Sequence, residues 1–342
     1  MAEQGQIYGF DINSQGDDGG LATATDVETF DQNTGKITKS FANKMPTLNS
    51  YLFDGIFAGD TGLVTRFVML KNHIGAKRVF ELMDPVSAEQ FTGKWTPPID
   101  VNVEQNAENQ TTSTGVVLAI ELANQDNPDL IVSNFAANTM LNLIHLDPNL
   151  FGLANGPQLA QDTTTNQAVI ALSPDAGEVH GAAPINVLVD LATGKITQFQ
   201  GLNLGEFGAG DVNGLAVDST TGIAATTTEL NAQVEFYTLA KKSGFAVQLP
   251  GTGPTSQLNS GAAVANDPIN KLFLVADPVF GNGNQGSAVV VYDENGTLVE
   301  SITGFNFSNA STVVPVRIAL NPSKRMGWVN GPNINELQQF TY

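Results

Sequence analysis

One short phrase occurs twice in nearly the same form. Asp31-Gln-Asn-Thr-Gly35-Lys36-Ile37-Thr38 returns as Asp190-Leu-Ala-Thr-Gly194-Lys195-Ile196-Thr197, and a looser copy is Asp293-Glu-Asn-Gly296-Thr297-Leu298-Val299. Each copy follows a β-rich stub (Val27–Phe30, Val187–Val189, Val289–Tyr292) and precedes another. The phrase therefore reads as a hairpin turn, with Gly where the backbone needs φ > 0. The copies are spaced at about three and two times a unit of roughly 50 residues, which marks an internal repeat built from hairpins.

The third strand of each unit gives the phase, because it closes in an apolar or aromatic run followed by Asp or Thr. Its ends fall at Phe30-Asp31, Met83-Asp84, Leu146-Asp147, Val189-Asp190, Tyr237-Thr238, Tyr292-Asp293 and Phe340-Thr341. First strands carry small residues, as in Asn213-Gly-Leu-Ala-Val-Asp218 and Gly261-Ala-Ala-Val-Ala-Asn-Asp267. Second strands are Gly20–Thr25, Leu63–Leu70, Leu130–Ser133, Ala168–Leu172, Ile223–Thr228, Leu272–Ala276 and Met326–Val329. Their alternating or continuous apolar patterns suit strands sandwiched between neighbouring sheets.

These units predict an all-β fold, a seven-bladed β-propeller of four-stranded antiparallel blades filling residues 1–342 as one domain. The blades run over about 5–43, 48–98, 110–156, 157–202, 209–251, 257–307 and 312–342, with a loop insertion around Val103–Gly115. Six blades plus an irregular segment is the alternative. The last unit stops at its third strand, so either a short N-terminal strand completes it or it has three strands.

Composition narrows the partners. The chain carries a net charge of −19 and has no Lys or Arg between Lys94 and Lys195. Such a surface repels phosphate backbones and anionic lipid, which excludes nucleic acid and leaves cations, neutral glycans or basic proteins. Cysteine is absent, so thiolate metal sites and disulfides are excluded. No run of 18 apolar residues is present to insert in a membrane. The Asn/Thr-rich, Cys-free, Lys-poor composition predicts a secreted or periplasmic protein, although Met1-Ala-Glu-Gln-Gly-Gln is not a signal peptide; a monomer is expected.

In such a fold the turn after each second strand opens on the same face as the start of each first strand. That rule places Asp26, Lys71 with Asn72, Asn134, Asp175, Glu229, Asp277 and Asn330 around an axial mouth. Oxygen-rich side chains there would suit Ca²⁺, which takes six to eight oxygens; Asp and Asn also favour turns for their own backbone bonds. His180, close behind Asp175 and Glu178, is the candidate general base or transition-metal ligand. Arg317 on an inner strand either answers the mouth carboxylates or clamps an anionic ligand group. His145 reads as half-buried packing in a third strand, and His73 as a solvated turn.

Pro315-x-x-Ile-Ala-Leu-Asn-Pro, with Trp328-Val329 and Asn335-x-Leu-x-x-Phe340, and Asn213-Gly-Leu-Ala-Val-Asp-x-x-Thr-Gly222 resemble NHL/YVTN-type propeller repeats over nearly the whole chain. Asn213-Gly214 also resembles the metal-binding strand of gluconolactonase-type propellers, although Ser260 stands where that family has Asp. The resemblance implies a binding, lactonase, lyase or sensor propeller. The expected function is non-catalytic binding of a small molecule, glycan or protein at the mouth, with no certain cofactor. The alternative is a Ca²⁺-dependent lactonase, hydrolase or lyase with Asn213, Glu229 and Asp277 as metal ligands.

Overall fold

The computed structural model describes the strands given below and, between them, residues 112, 137, 146–151, 157, 163–166, 184, 191–195, 201–202, 219–222, 239–242, 249–250, 262, 268–271, 278, 280, 286, 294–297, 316, 322–325 and 342, with side-chain burial described only from residue 105 onward. The chain divides into two compact units, Met1–Gly152 and Leu153–Tyr342.

The first unit holds three antiparallel sheets. β1 (Ile7–Asn13), β2 (Ala24–Phe30) and β3 (Ile37–Ala42) form one. β4 (Ser50–Ala58), β5 (Thr61–Met69), β6 (Ala76–Met83) and β7 (Phe91–Trp95) form the next. β8 (Val101–Asn109), β9 (Thr114–Glu121), β10 (Pro128–Asn134) and β11 (Thr139–His145) form the third. A single helical turn, Pro148–Phe151, follows.

Two expectations change in this unit. The stretch around Val103–Gly115, expected as a loop insertion, is the β8–β9 hairpin. Leu130–Ser133 therefore lies in the third strand of its sheet, and the run ending at His145 is the fourth. The physical reason is polarity. Val101-Asn-Val-Glu-Gln-Asn-Ala-Glu-Asn109 carries too few apolar side chains to announce a strand, yet strand formation needs only a paired backbone and a tolerable face. Of the expected Gly20–Thr25 strand, residues 20–23 lie outside the described residues, and Ala24 and Thr25 open β2, which runs unbroken to Phe30 opposite β1.

The second unit holds four sheets. They are β12 (Gln158–Asp162) to β15, with β13 (Gln167–Leu172), β14 (Ile185–Asp190) and β15 (Ile196–Gln200); then β16 (Val212–Asp218), β17 (Ile223–Thr228), β18 (Asn231–Thr238) and β19 (Ser243–Gln248). β20 (Ala263–Asp267), β21 (Leu272–Asp277), β22 (Ser287–Asp293) and β23 (Leu298–Phe305) follow, then β24 (Ile318–Asn321), β25 (Met326–Gly331) and β26 (Ile334–Thr341). The last sheet has three strands among the described residues. With the first unit this makes seven sheets among the described residues, one for each repeat window.

Burial grades across the sheets of the second unit. Second strands such as β13 and β21 are buried on both faces, whereas β19 and β23 are largely exposed. The first strands β12, β16, β20 and β24 touch in series, which explains their small residues. A Cβ at Gly214 would lie 2.7 Å from the backbone nitrogen of Val264, so β20 approaches β16 closely enough to exclude a side chain.

Aromatic residues fill the spaces between sheets farther out. Phe236 lies edge-on to Phe273 at 5.6 Å and to Tyr292 at 6.1 Å, and stacks on Phe245 at 5.3 Å. Burying a side chain of this size contributes about 1.5–3 kcal/mol by area. The ring of Phe340 lies over Gly327 and meets Phe305 edge-on at 5.6 Å in the corresponding space of the last two sheets.

Candidate functional site

Every sheet of the second unit has two ends, and they differ in chemistry. At one end the first strand turns into the second. Asp162, Asp218, Asp267 and Asn321 close their first strands there, and each is followed four residues later by a left-handed residue: Asn166 (φ 55), Gly222 (φ 69), Lys271 (φ 56) and Arg325 (φ 51). The side-chain oxygens accept from the turn itself. Asp218 Oδ1 accepts from Thr220 N at 2.8 Å and Thr220 Oγ1 at 2.6 Å; Asp267 Oδ1 accepts from Ile269 N and Asn270 N at 3.0 and 2.9 Å.

The recurring phrase lies at this same end, between third and fourth strands. Asp190 Oδ1 accepts from Ala192 N and Thr193 N at 3.0 and 2.8 Å, and Gly194 takes φ 72. The backbone N–H of Thr193 is the first cause holding the Asp190 carboxyl below its ordinary value. Asp293 repeats the arrangement with Asn295, Thr297 and Gly296 (φ 73). Carboxylates that face their own turn in this way have little capacity left for a ligand.

These turns also join neighbouring sheets. Thr163 N donates to Ser219 Oγ at 2.9 Å, Thr221 Oγ1 to Glu294 Oε1 at 2.5 Å, and Asn270 Nδ2 to the Pro322 carbonyl at 3.2 Å. Tyr342 Oη donates to Asp267 Oδ2 at 2.8 Å. Burial, and then that carboxylate, push the Tyr342 phenol far above its ordinary value.

The opposite end, where second strands leave and first strands begin, is where the site was expected. Asn213 sits there at the start of β16, half-buried, at a bulge between Val212 and Gly214. A bulge takes one residue out of the ladder and re-aims its side chain. Asn330 occupies the matching irregularity between Val329 and Gly331, at the end of β25. Asp277 ends β21 and is wholly buried, so it does not stand on an open rim. Its charge helps raise the Tyr292 phenol, after burial itself.

Other expected residues are placed differently. Asp26 lies inside β2, opposite Asp11 and Ala42, and not at a turn. Asn134 ends a third strand, so it stands at the turn end of its sheet; its Oδ1 accepts from Ala137 N at 2.8 Å and is engaged by that turn. His145 is not half-buried. Its side chain is 69% exposed on β11, with Nδ1 2.7 Å from the buried Asp129 Oδ1. Asp175, His180, Glu229 and Arg317, with Lys71, Asn72 and His73, lie outside the described residues.

The structure adds a group of buried polar residues between the fourth and fifth sheets. Thr226 and Glu235 stand directly opposite across β17 and β18, and Ala224 and Tyr237 form the next pair on that face. Tyr237 meets Phe199 edge-on at 5.8 Å across the seam. Asn186 pairs with Phe199 across β14 and β15, on the same face as Leu188, which packs with Ala224. Asn186, Thr226, Thr228, Glu235 and Tyr237 are all 2% exposed or less. The amide nitrogen of Asn186 and the hydroxyls of Thr226, Thr228 and Tyr237 have no hydrogen-bond partner among the described residues.

Burial pushes the Glu235 carboxyl up to about 8, with the Leu202 backbone N–H opposing the rise. The only sequence sign of this group is one Glu inside the apolar run Val234-Glu-Phe-Tyr237. Among the described residues, no group of three or more His, Cys, Asp or Glu side chains is gathered as metal ligands.

No protein-family model matches the chain, and no curated protein matches it in sequence. Among solved structures it is similar to a chain of a mitotic checkpoint complex, with a TM-score of 0.62 at 11% identity, over 98% of this chain and 93% of that one. It is also similar to Raptor of Chaetomium thermophilum, with a TM-score of 0.58 at 11% identity, over 93% of this chain but only 27% of that one. Both likenesses are to β-propellers. At this identity they speak for the fold, and the fold is a β-propeller.

Proposed function

We propose that this chain is a non-catalytic binding propeller whose partner is a protein carrying a basic segment. The partner seats on the end of the second unit's sheets where second strands leave. The observation that carries the reading is the contrast between the two ends. At the turn end each capping Asp or Asn has at least one side-chain oxygen engaged by its own turn, whereas Asn213 sits at a bulge, which turns a side chain out of the ladder, and the backbone ladder is likewise irregular at Asn330. The net charge of −19 supports a basic partner, through complementarity and electrostatic steering. The likeness to a chain of a mitotic checkpoint complex fits the same reading. The NHL/YVTN character of the repeats and an exported setting belong to it as well.

Binding to an array of basic peptides tests the proposal. Affinity that falls with added salt, is lost in an Asn213→Arg, Asn330→Arg variant and is kept in Asp190→Ala is the expected result. Lactone turnover that requires Ca²⁺ and disappears in Asn213→Ala would replace the reading with the hydrolase alternative.

A further inference from the structure

The turn end of the second unit holds its carboxylates inward and its cations outward. This unit has seven Lys and Arg residues, and six of them stand in its turns. They are Lys195 before β15, Lys241 and Lys242 between β18 and β19, Lys271 between β20 and β21, and Lys324 and Arg325 between β24 and β25. All six are exposed. The seventh, Arg317, lies outside the described residues. The carboxylates of the same turns are withdrawn. Asp162, Asp218 and Asp267 are 2% exposed or less, and Asp190, Asp293 and Glu294 are partly buried. Of the carboxylates whose side chains are described in this unit, only Glu300 is exposed.

Three of the cations occupy backbone positions that a side chain rarely takes. Lys242 (φ 54), Lys271 (φ 56) and Arg325 (φ 51) are left-handed, where Gly222 (φ 69) serves in a sister turn. Such residues are uncommon outside Gly, Asn and Asp. A Gly would make each turn with less strain, so the turns alone do not account for the basic side chains.

The sixth and seventh sheets bring three of these cations onto adjoining turns. Asn270 Nδ2 donates to the Pro322 carbonyl at 3.2 Å, which sets the β20–β21 turn, with Lys271, against the β24–β25 turn, with Lys324 and Arg325. The Arg325 guanidinium lies 5.6 Å from the centre of the Tyr342 ring, a cation–π contact, and the Tyr342 hydroxyl is fixed on Asp267. Ile269, in the same turn as Lys271, is 64% exposed, the most exposed large apolar side chain among the described residues.

We propose that this end docks a short acidic segment of a partner protein, its carboxylates on Lys271, Lys324 and Arg325 and an apolar side chain on Ile269. Charge complementarity names the occupant. Screening confines an exposed charge to about 8–10 Å at physiological ionic strength, so a short segment senses these turns and not the net charge of the chain. A long polyanion such as nucleic acid would run past the turns and meet the excess of carboxylates elsewhere, and a phosphate backbone makes no use of Ile269. A second copy of the chain would bring its own net charge of −19. The surface is the end opposite the one proposed for a basic partner, and neither depends on the other.

The test is fluorescence anisotropy at low ionic strength with a dye-labelled peptide of consecutive Glu residues around one Leu. Saturable binding that weakens as salt is added is expected. Lys271→Glu combined with Lys324→Glu should weaken it about tenfold, and Ile269→Ser about threefold. Lys271→Gly removes one charge while glycine takes the left-handed turn freely, so it should weaken binding about threefold without lowering the melting midpoint. No binding to the unmodified protein would overturn the proposal. So would an affinity unchanged in the double variant, tighter binding of a single-stranded DNA of equal charge, or self-association in sedimentation that Lys271→Gly abolishes. If the double variant does not fold, Lys271→Gly decides: unchanged affinity there overturns the proposal.

Discussion

Within the second unit, the two ends of each sheet use similar residues to opposite effect. At the turn end Asp and Asn are common, and their oxygens cap backbone N–H groups two and three residues on. At the other end Asn, Thr and Glu occur at a bulge and within a seam, where several polar atoms have no hydrogen-bond partner among the described residues. Composition alone would call both ends polar. What separates them is how much of the polar group the chain's own turn occupies: the turn engages Asp218 through Oδ1, whereas the hydroxyls of Thr226 and Thr228 have no hydrogen-bond partner among the described residues.

The largest expected effect strikes the seam. Stability should fall as pH rises from Glu235's ordinary value of 4.5 to about 8. The sign follows from proton count: across that window the unfolded chain has released the proton and the folded one retains it. Glu235→Gln should flatten the slope and become the more stable protein by pH 8, by an amount on the order of 4 kcal/mol. Urea unfolding at several pH values measures it, and parallel curves for the two proteins would break the contrast between the ends.

Asp267→Ala strikes a buried turn. It removes three bonds from the turn and the acceptor of the Tyr342 hydroxyl, and should cost about 3 kcal/mol in the same unfolding experiment. Asp190→Ala removes only exposed bonds, and its melting midpoint should move by about 2 °C or less. Asp190's contribution is present above pH 3.8 and lost as pH falls through the lower folded value, so the small difference should vanish in acid. Equal effects of the two substitutions would show that burial does not grade the turns.

Gly214→Ala sharpens the picture on the inner strands. The new methyl would meet the β20 backbone, which cannot swing aside as a side chain can. A loss of about 2 kcal/mol by denaturant titration is expected, with the slope unchanged. A neutral outcome would mean that β16 and β20 can separate.

Much of the fold was legible because buried strands write apolar runs. Ala168–Leu172 and Leu272–Ala276 were read within a residue of β13 and β21, and the recurring phrase was read as the turn between third and fourth strands that it is. β8 was missed because alternation between apolar and polar residues fails in a strand so rich in Asn, Gln and Glu. Asp26 is expected at a turn because Gly20–Thr25 reads as a second strand ending just before it, yet β2 carries Asp26 within its ladder. The polar seam was illegible for a different reason. Asn186 and Glu235 are far apart in sequence, and nothing local to either says that a facing sheet will enclose it. Asn213 was singled out by a resemblance, while its bulge was visible only in the register of β16 and β17.

The hydrogen bonds of Ser219, Thr221 and Asn270 each reach one sheet beyond their own. Cooperativity in the second unit is then a nearest-neighbour property, as in stacked repeats. A sheet loosened by a substitution passes its instability to the two that flank it, and attenuated to the next. Amide exchange should record this as steps of protection along the chain, ordered by distance from the damaged seam.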